Sequence, residues 1–238
     1  MQQEGKKHAE RILIIGGSSG IGKTLADSLF AEGNDVIIAS RNAENAGLEF
    51  SGNGKLTTFN LDAFNEEAVA EFAKRLGEID HLVVTLRGKT IATPFEQSTT
   101  DEVREAFEGK FWPQYYLARH LLKNIKTGGS ITLTSGIASM RSYKGFYWHA
   151  AANGAIEALV KSLAVEIAPV RINALSPGFT ERHPNDTERY EIMRKVEPRM
   201  PLGRLATQAE IVKGYIYLMQ NSYVTGSTLI VDGGTLCG

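Results

Sequence analysis

One cysteine, Cys237, stands in 238 residues, so neither an internal disulfide framework nor a cysteine-based metal cluster can be built, and no metal site is expected. Neither sign of charge dominates: 26 lysines and arginines face 27 aspartates and glutamates, a formal net charge of -1. Such a balance offers no broad basic field to nucleic acid or to an anionic membrane. No run approaches the roughly eighteen apolar residues of a membrane span. Residues 1–10 are polar and lack the apolar stretch of a signal peptide, so a cytoplasmic protein is expected. No repeat, low-complexity tract or proline/glycine-rich linker divides the chain. The length and a 42% hydrophobic content suit one domain, residues 1–238, with a sizeable core.

What the chain does have is alternation. Short apolar runs of β type occupy 12–15, 36–39, 56–61, 81–85, 130–134, 171–175 and 228–231. Helical patterns lie between them, near 21–32, 65–76, 99–125, 146–168 and 207–220. Strands that are apolar almost throughout, separated by helices, predict a parallel seven-stranded sheet covered on both faces, a doubly wound α/β fold. Ligands of such sheets sit beyond the carboxyl ends of the strands, where the strand order reverses. Segment 178–206 is the longest irregular stretch, rich in charge and proline, and is expected to act as a lid or substrate loop.

The first run leads into Gly16-Gly17-Ser18-Ser19-Gly20-Ile21-Gly22 and then a helix. Glycines permit the tight turn and a close backbone approach to a diphosphate, which the helix N-terminus attracts. The same residues carry a second pattern. Gly17 to Thr24 reads G-x-x-x-x-G-K-T, the phosphate loop of nucleoside triphosphatases, in which Lys23 and Thr24 would hold phosphate and magnesium. That chemistry also needs an aspartate closing a later central strand, and Asp232 is the residue at hand.

Beyond the glycine loop, the chain resembles the short-chain dehydrogenase/reductase family over nearly its whole length. The loop matches the family pattern except that Ile15 replaces a threonine. Asn60-Leu61-Asp62-Ala63 resembles the segment that recognises adenine. Asn173-Ala174-Leu175-Ser176-Pro177-Gly178, with Phe179 and Thr180 following, is similar to the turn beside the nicotinamide. Pro201-Leu202-Gly203-Arg204 and the stretch from Thr225-Gly226 to Val231-Asp232-Gly233-Gly234 match the carboxyl-terminal signature. The resemblance implies a Rossmann-type fold and a nicotinamide dinucleotide cofactor. Gly16, Ser18, Ser19, Gly20, Ile21 and Gly22 would meet its diphosphate, Leu61, Asp62 and Ala63 its adenine, and Thr85, Leu86, Lys110 and Pro177 to Thr180 its other half. It also implies a homodimer or homotetramer assembled through the long helices at 99–125 and 146–168.

The second run ends Ala39-Ser40-Arg41-Asn42. NAD-specific relatives carry an acid where Ser40 stands, to bind the ribose hydroxyls. A carboxylate would repel a 2′-phosphate. Ser40 can donate to one, and Arg41 can pair with it bidentately and stack on adenine. NADPH/NADP+ is the expected cofactor; the competing reading leaves Arg41 as a solvated loop residue.

The family's asparagine, serine, tyrosine and lysine are all missing from their places. Alignment through Ala150-Ala151-Ala152 puts His149 at the tyrosine and Asn153 at the lysine. Gly136 falls at the serine, with Ser135 before it, and Lys110 at the asparagine. In place of Asn-Asn-Ala-Gly after the fourth strand stands Val84-Thr85-Leu86-Arg87. Lysine and asparagine thus look exchanged, as Lys110 and Asn153. His149, Asn153, Ile156 and Val160 recur on one helix face. Hydride transfer to a carbonyl leaves an alkoxide that needs a proton. An imidazole titrating near about 6.5 can pass one, and Lys110 can stabilise the oxyanion. Tyr147 is a rival acid, facing elsewhere on the helix, and Tyr143 lies further off still. Ser135 either binds substrate or satisfies backbone at the strand end. His149, Lys110 and Asn153 also have plain structural readings as helix-start, snorkelling and packing residues. Two functions follow: an NADPH-dependent reductase of a small-molecule carbonyl, or an NADPH-holding protein with little turnover used for sensing or assembly.

Overall fold

A computed structural model describes residues 9–88, 92–181 and 196–238. Seven parallel strands form one sheet: β1 (Arg11–Ile15), β2 (Asp35–Ser40), β3 (Lys55–Asn60), β4 (Ile79–Val84), β5 (Ile125–Thr134), β6 (Arg171–Pro177) and β7 (Thr228–Val231). Their spatial order is β3-β2-β1-β4-β5-β6-β7, so the order reverses between β1 and β4. Five helices accompany them among the described residues: α1 (Gly20–Ala31), α2 (Glu66–Leu76), α3 (Thr100–Leu121), α4 (Tyr147–Glu166) and α5 (Gln208–Gln220). This is the doubly wound Rossmann architecture that the alternation predicts.

The central strands carry apolar side chains to both faces because both faces are covered. Leu13, Ile15 and Leu82 pack into a core with α2, α3 and α4. Ile12, Ile14 and Val83 pack into a second core under α1 and α5. Each fully buried isoleucine or leucine contributes roughly 1.5–3 kcal/mol relative to leaving it in water. The edge strands β3 and β7 are only partly buried, as their more polar sequences dictate.

Three helices start from side-chain caps. Asn65 accepts from Ala68 N at the start of α2, while Thr99–Glu102 and Thr207–Glu210 form reciprocal capping boxes on α3 and α5. Helices α1 and α4 have neither a side-chain cap nor an acidic residue in the first turn. Their first-turn amides and positive dipole ends are left for something else. At the far end of α5, buried Arg171 donates to the carbonyls of Leu218 (2.8 Å) and Met219 (2.5 Å), tying the helix C-terminus to the start of β6.

Two boundaries differ from the sequence expectation by more than two residues. The third helix ends at Leu121, and a single 3-10 turn, Leu122–Asn124, leads straight into β5. That strand starts at Ile125, five residues early, because it passes a register irregularity opposite Ile79 and His81 at Gly128-Gly129. A Cβ on Gly129 would stand 2.3 Å from the Asp80 carbonyl, so only glycine lets the strands approach there. Of the expected lid at 178–206, residues 182–195 lie outside the described residues. Its ends are tied together: Ala206 N donates to Phe179 O (3.0 Å) and Glu181 N to Ala206 O (2.8 Å). No described helix is long and apolar enough to cross a membrane.

Candidate cofactor and active site

A cleft of about 1130 Å³ opens at the carboxyl ends of β1, β2 and β4, where the strand order reverses. Gly16, Ser18, Ser19, Gly20, Ile21 and Gly22 line it, with Ser40, Arg41 and Asn42 on one side and Thr85, Leu86 and Thr180 on another. Leu61 and Ala63 complete the expected adenine wall. Asp62 does not line the cleft; its exposed carboxylate accepts from Phe64 N at 3.1 Å, closing its own turn.

The glycine loop is shaped for close backbone approach. A Cβ on Gly22 would stand 2.3 Å from the Gly16 carbonyl and 2.6 Å from the Thr85 hydroxyl. Gly20 has a left-handed φ of 54°, and no atom lies within 4 Å of where its Cβ would be. Open space at an uncapped, acid-free helix N-terminus fits a diphosphate. Thr85 locks the corner by donating to Ile15 O at 2.9 Å. Ser40 donates to the Ser18 hydroxyl at 3.0 Å, joining the end of β2 to the loop. Arg41 is exposed on the cleft wall, and no carboxylate stands at position 40.

Lys23 and Thr24 line the cleft, but the aspartate that the triphosphatase alternative needs does not. Lys23 pairs with Asp27 at 3.1 Å, and the Thr24 hydroxyl donates to Gln208 at 2.9 Å. Asp232 follows β7 at the sheet edge, with β4, β5 and β6 between it and β1. There its carboxylate accepts from Gly234 N and Leu236 N, so it cannot organise a magnesium ion near Thr24.

Lys110 and Asn153, from different helices, converge on the turn after β5. Lys110 Nζ donates to Ser135 O at 3.0 Å, and burial lowers its pKa to about 8. The buried Asn153 amide lies beside Gly136, 3.1 Å from where a Cβ at 136 would stand. His149 sits partly buried in the first turn of α4, between the rings of Phe146 and Trp148 at centroid distances of 5.4 and 3.9 Å. Ser135 is 3% exposed, and its hydroxyl points to Leu175 O at a long 3.4 Å. The Tyr147 hydroxyl bonds to Ser98 and its ring packs on Phe95, which turns it to the β4–α3 connection. None of these residues, nor Pro177, Gly178 and Phe179, lines the cleft itself.

Sequence reasoning left Arg87, Glu181 and Gln208 unassigned, although all three line the cleft. Arg87 had a signal, as a residue just past the fourth strand. Gln208 had none: its approach to Thr24 spans 184 residues and exists only in the fold.

These features define a Rossmann protein with a nucleotide-binding cleft at the switch point of its sheet. A family model described as enoyl-(acyl carrier protein) reductase matches residues 16–235. An uncharacterized oxidoreductase of Schizosaccharomyces pombe is 34% identical over 95% of this chain and 91% of its own. A mouse 3-oxoacyl-[acyl-carrier-protein] reductase is 28% identical, covering 93% of this chain and 95% of its own. A solved small-chain dehydrogenase in complex with NADPH superposes with a TM-score of 0.82, at 33% identity over 97% of this chain and 100% of that one. The chain belongs to the short-chain dehydrogenase/reductase family, an oxidoreductase family that binds NAD or NADP.

Proposed function

We propose that this chain, as one domain over residues 1–238, is a cytoplasmic NADPH-dependent reductase of a carbonyl group in a small molecule. The observation that carries this reading is the pairing of two features in one cleft: the uncapped, acid-free start of α1, and Ser40-Arg41-Asn42 with no carboxylate among them. The first suits a diphosphate and the second a 2′-phosphate. The solved NADPH complex of a 33% identical relative supports the same choice.

When bound, the nicotinamide supplies the hydride. The chain's own residues must orient the carbonyl, bear the developing negative charge and deliver a proton. Lys110, held on Ser135 O, is assigned the charge. A buried ammonium with a pKa of about 8 is largely protonated at neutrality and can still release its proton. His149, at the position of the family's tyrosine, is assigned the proton path, and Asn153 keeps the turn at Gly136 in place. Ser135 supports Lys110 through its carbonyl, since its hydroxyl is turned to β6. The half-exposed aromatic row Phe107, Phe111, Trp112, Tyr115 and Tyr116 on α3 favours assembly of two or four copies through α3 and α4.

One observation favours a second reading, an NADPH-binding protein with little turnover: the groups assigned to catalysis stand behind the cleft wall and not on it. Calorimetry with NADPH, followed by cofactor consumption over a carbonyl panel, separates the two. The reductase reading expects NADPH oxidation that His149→Phe abolishes while cofactor affinity persists. Tight NADPH binding without oxidation across the panel supports the second reading, and no heat from any pyridine nucleotide overturns both.

A further inference from the structure

Tyr143 lies in the turn before α4, which Phe146 N closes by donating to Tyr143 O at 3.0 Å. Its hydroxyl oxygen is buried and has no hydrogen-bond partner among the described residues. The ring meets Phe179 edge to face, with centroids 5.9 Å apart and planes at 89°. Phe179 in turn packs against Met200 and Leu205, a small apolar cluster separate from the two main cores. The next residue, Thr180, lines the cofactor cleft. A buried phenol is therefore set in an apolar wall one residue from the cleft.

A buried O–H with nothing to bond is destabilising, and phenylalanine would fill the same space without that penalty. Such an atom is accounted for when a ligand group completes it. We propose that the Tyr143 hydroxyl is a specificity group for the carbonyl substrate, donating to an uncharged acceptor on an otherwise apolar molecule lodged against Phe179; this rests on the reductase reading above. Burial holds the phenol protonated, as a donor. The acceptor is uncharged because the two charges felt by the phenol, Arg141 and Asp232, act in opposite directions. Arg141 is anchored on Thr235 O, and Asp232 on the amides of Gly234 and Leu236.

The test uses matched probes titrated calorimetrically into the full chain with NADP+: cyclohexanone against its para-dione, and para-ethyl against para-methoxy acetophenone. The dione and the methoxy compound should bind the wild-type chain more tightly than their partners. Tyr143→Phe should weaken those two about tenfold and the plain ketones by less than about twofold, the loss of one neutral hydrogen bond. The melting temperature of the ligand-free variant should be unchanged or higher, which a purely structural hydroxyl would not permit. Equal weakening of both members of each pair, no binding of any probe to the wild-type chain, or a lower melting temperature in Tyr143→Phe overturns the assignment. NADPH affinity is measured alongside: its absence sinks the reductase reading, whereas intact affinity with unselective probes sinks only the role of Tyr143.

Discussion

Lys110 donates a hydrogen bond from its ammonium to the carbonyl of Ser135 at 3.0 Å, so the cation on α3 is anchored to backbone at the end of β5. The neighbouring residue, Gly136, receives the Asn153 amide from α4. Here the positive charge arrives from α3, and the absence of a side chain at 136 makes room for the amide.

The lowered pKa of Lys110 predicts two pH effects. Folding depresses it from 10.5 to about 8, so between those values the unfolded chain binds more protons. Stability should therefore rise with pH across that window, and the cost of burying the ammonium is felt in full below pH 8. Lys110→Met, of similar shape and uncharged, should melt higher than the wild type at neutral pH and lose that rise. Carbonyl reduction should fall above pH 8 in the wild type and drop about 100-fold or more in Lys110→Met, the usual effect of removing an oxyanion stabiliser. Calorimetric melting and pH–rate profiles on both proteins check this. A flat profile through pH 8 would remove Lys110 from the chemistry.

Gly136 and Asn153 should be energetically coupled. At φ 166° the backbone of Gly136 is extended and accepts any residue, so the constraint is the amide 3.1 Å away. Gly136→Ala should cost about 1 kcal/mol and reduce turnover, while the same change made on Asn153→Ala should cost clearly less. A double-mutant cycle read by denaturant unfolding and by kcat should show coupling of about 0.5 kcal/mol or more. Strict additivity would mean that the amide does not depend on the missing side chain.

Much of the architecture was legible because strand and helix periods differ and the glycines punctuate them. The runs at 36–39 and 171–175 grew by only one or two residues at an end, into Asp35–Ser40 and Arg171–Pro177. The failure at the start of β5 has a local cause. Lys126-Thr127-Gly128-Gly129 has the composition of a turn, and only the irregular pairing with β4 makes it strand. The diphosphate loop was readable since its residues are contiguous. The destinations of side-chain hydroxyls were not: Ser40 finds Ser18 from 22 residues away, and Tyr147 finds Ser98 from 49. Helix periodicity could turn Tyr147 away from His149 but could not name its partner. The carboxylate of Asp62, assigned to adenine by resemblance, also accepts from Phe64 N, a contact two residues away that the resemblance did not name.

Arg41 should discriminate between the two pyridine nucleotides. It is exposed on the cleft wall beside Ser40, with no acid at that position. Arg41→Ala should weaken NADPH by about 10- to 100-fold, the range for a charge-assisted hydrogen bond, and leave NADH within about threefold. Raising the salt concentration should narrow the wild-type preference, because an exposed pair is screened. Competitive calorimetric titrations with both nucleotides supply the numbers. Equal weakening of NADPH and NADH would leave the cofactor preference without a residue to explain it.

The sharpest structural prediction falls on Gly22. Its amide belongs to the first turn of α1, and its α-carbon is so close to Gly16 O and the Thr85 hydroxyl that a methyl group would stand 2.3 and 2.6 Å from them. The first of those neighbours is backbone and cannot swing aside. The second is already bonded to Ile15 O and could yield only by giving that bond up. Gly22→Ala must therefore push α1 away from β1, opening the corner where the diphosphate would sit. A loss of roughly 1–3 kcal/mol in unfolding free energy is expected, with NADPH and NADH affinity falling together. Thr85→Ser keeps the hydroxyl bond and should behave as the wild type. Thr85→Ala in the Gly22→Ala background should recover only part of the loss, since Gly16 O remains in the way. A Gly22→Ala protein that binds NADPH as tightly as the wild type would show that the helix start need not lie close to the loop, and the diphosphate would then have to be held elsewhere.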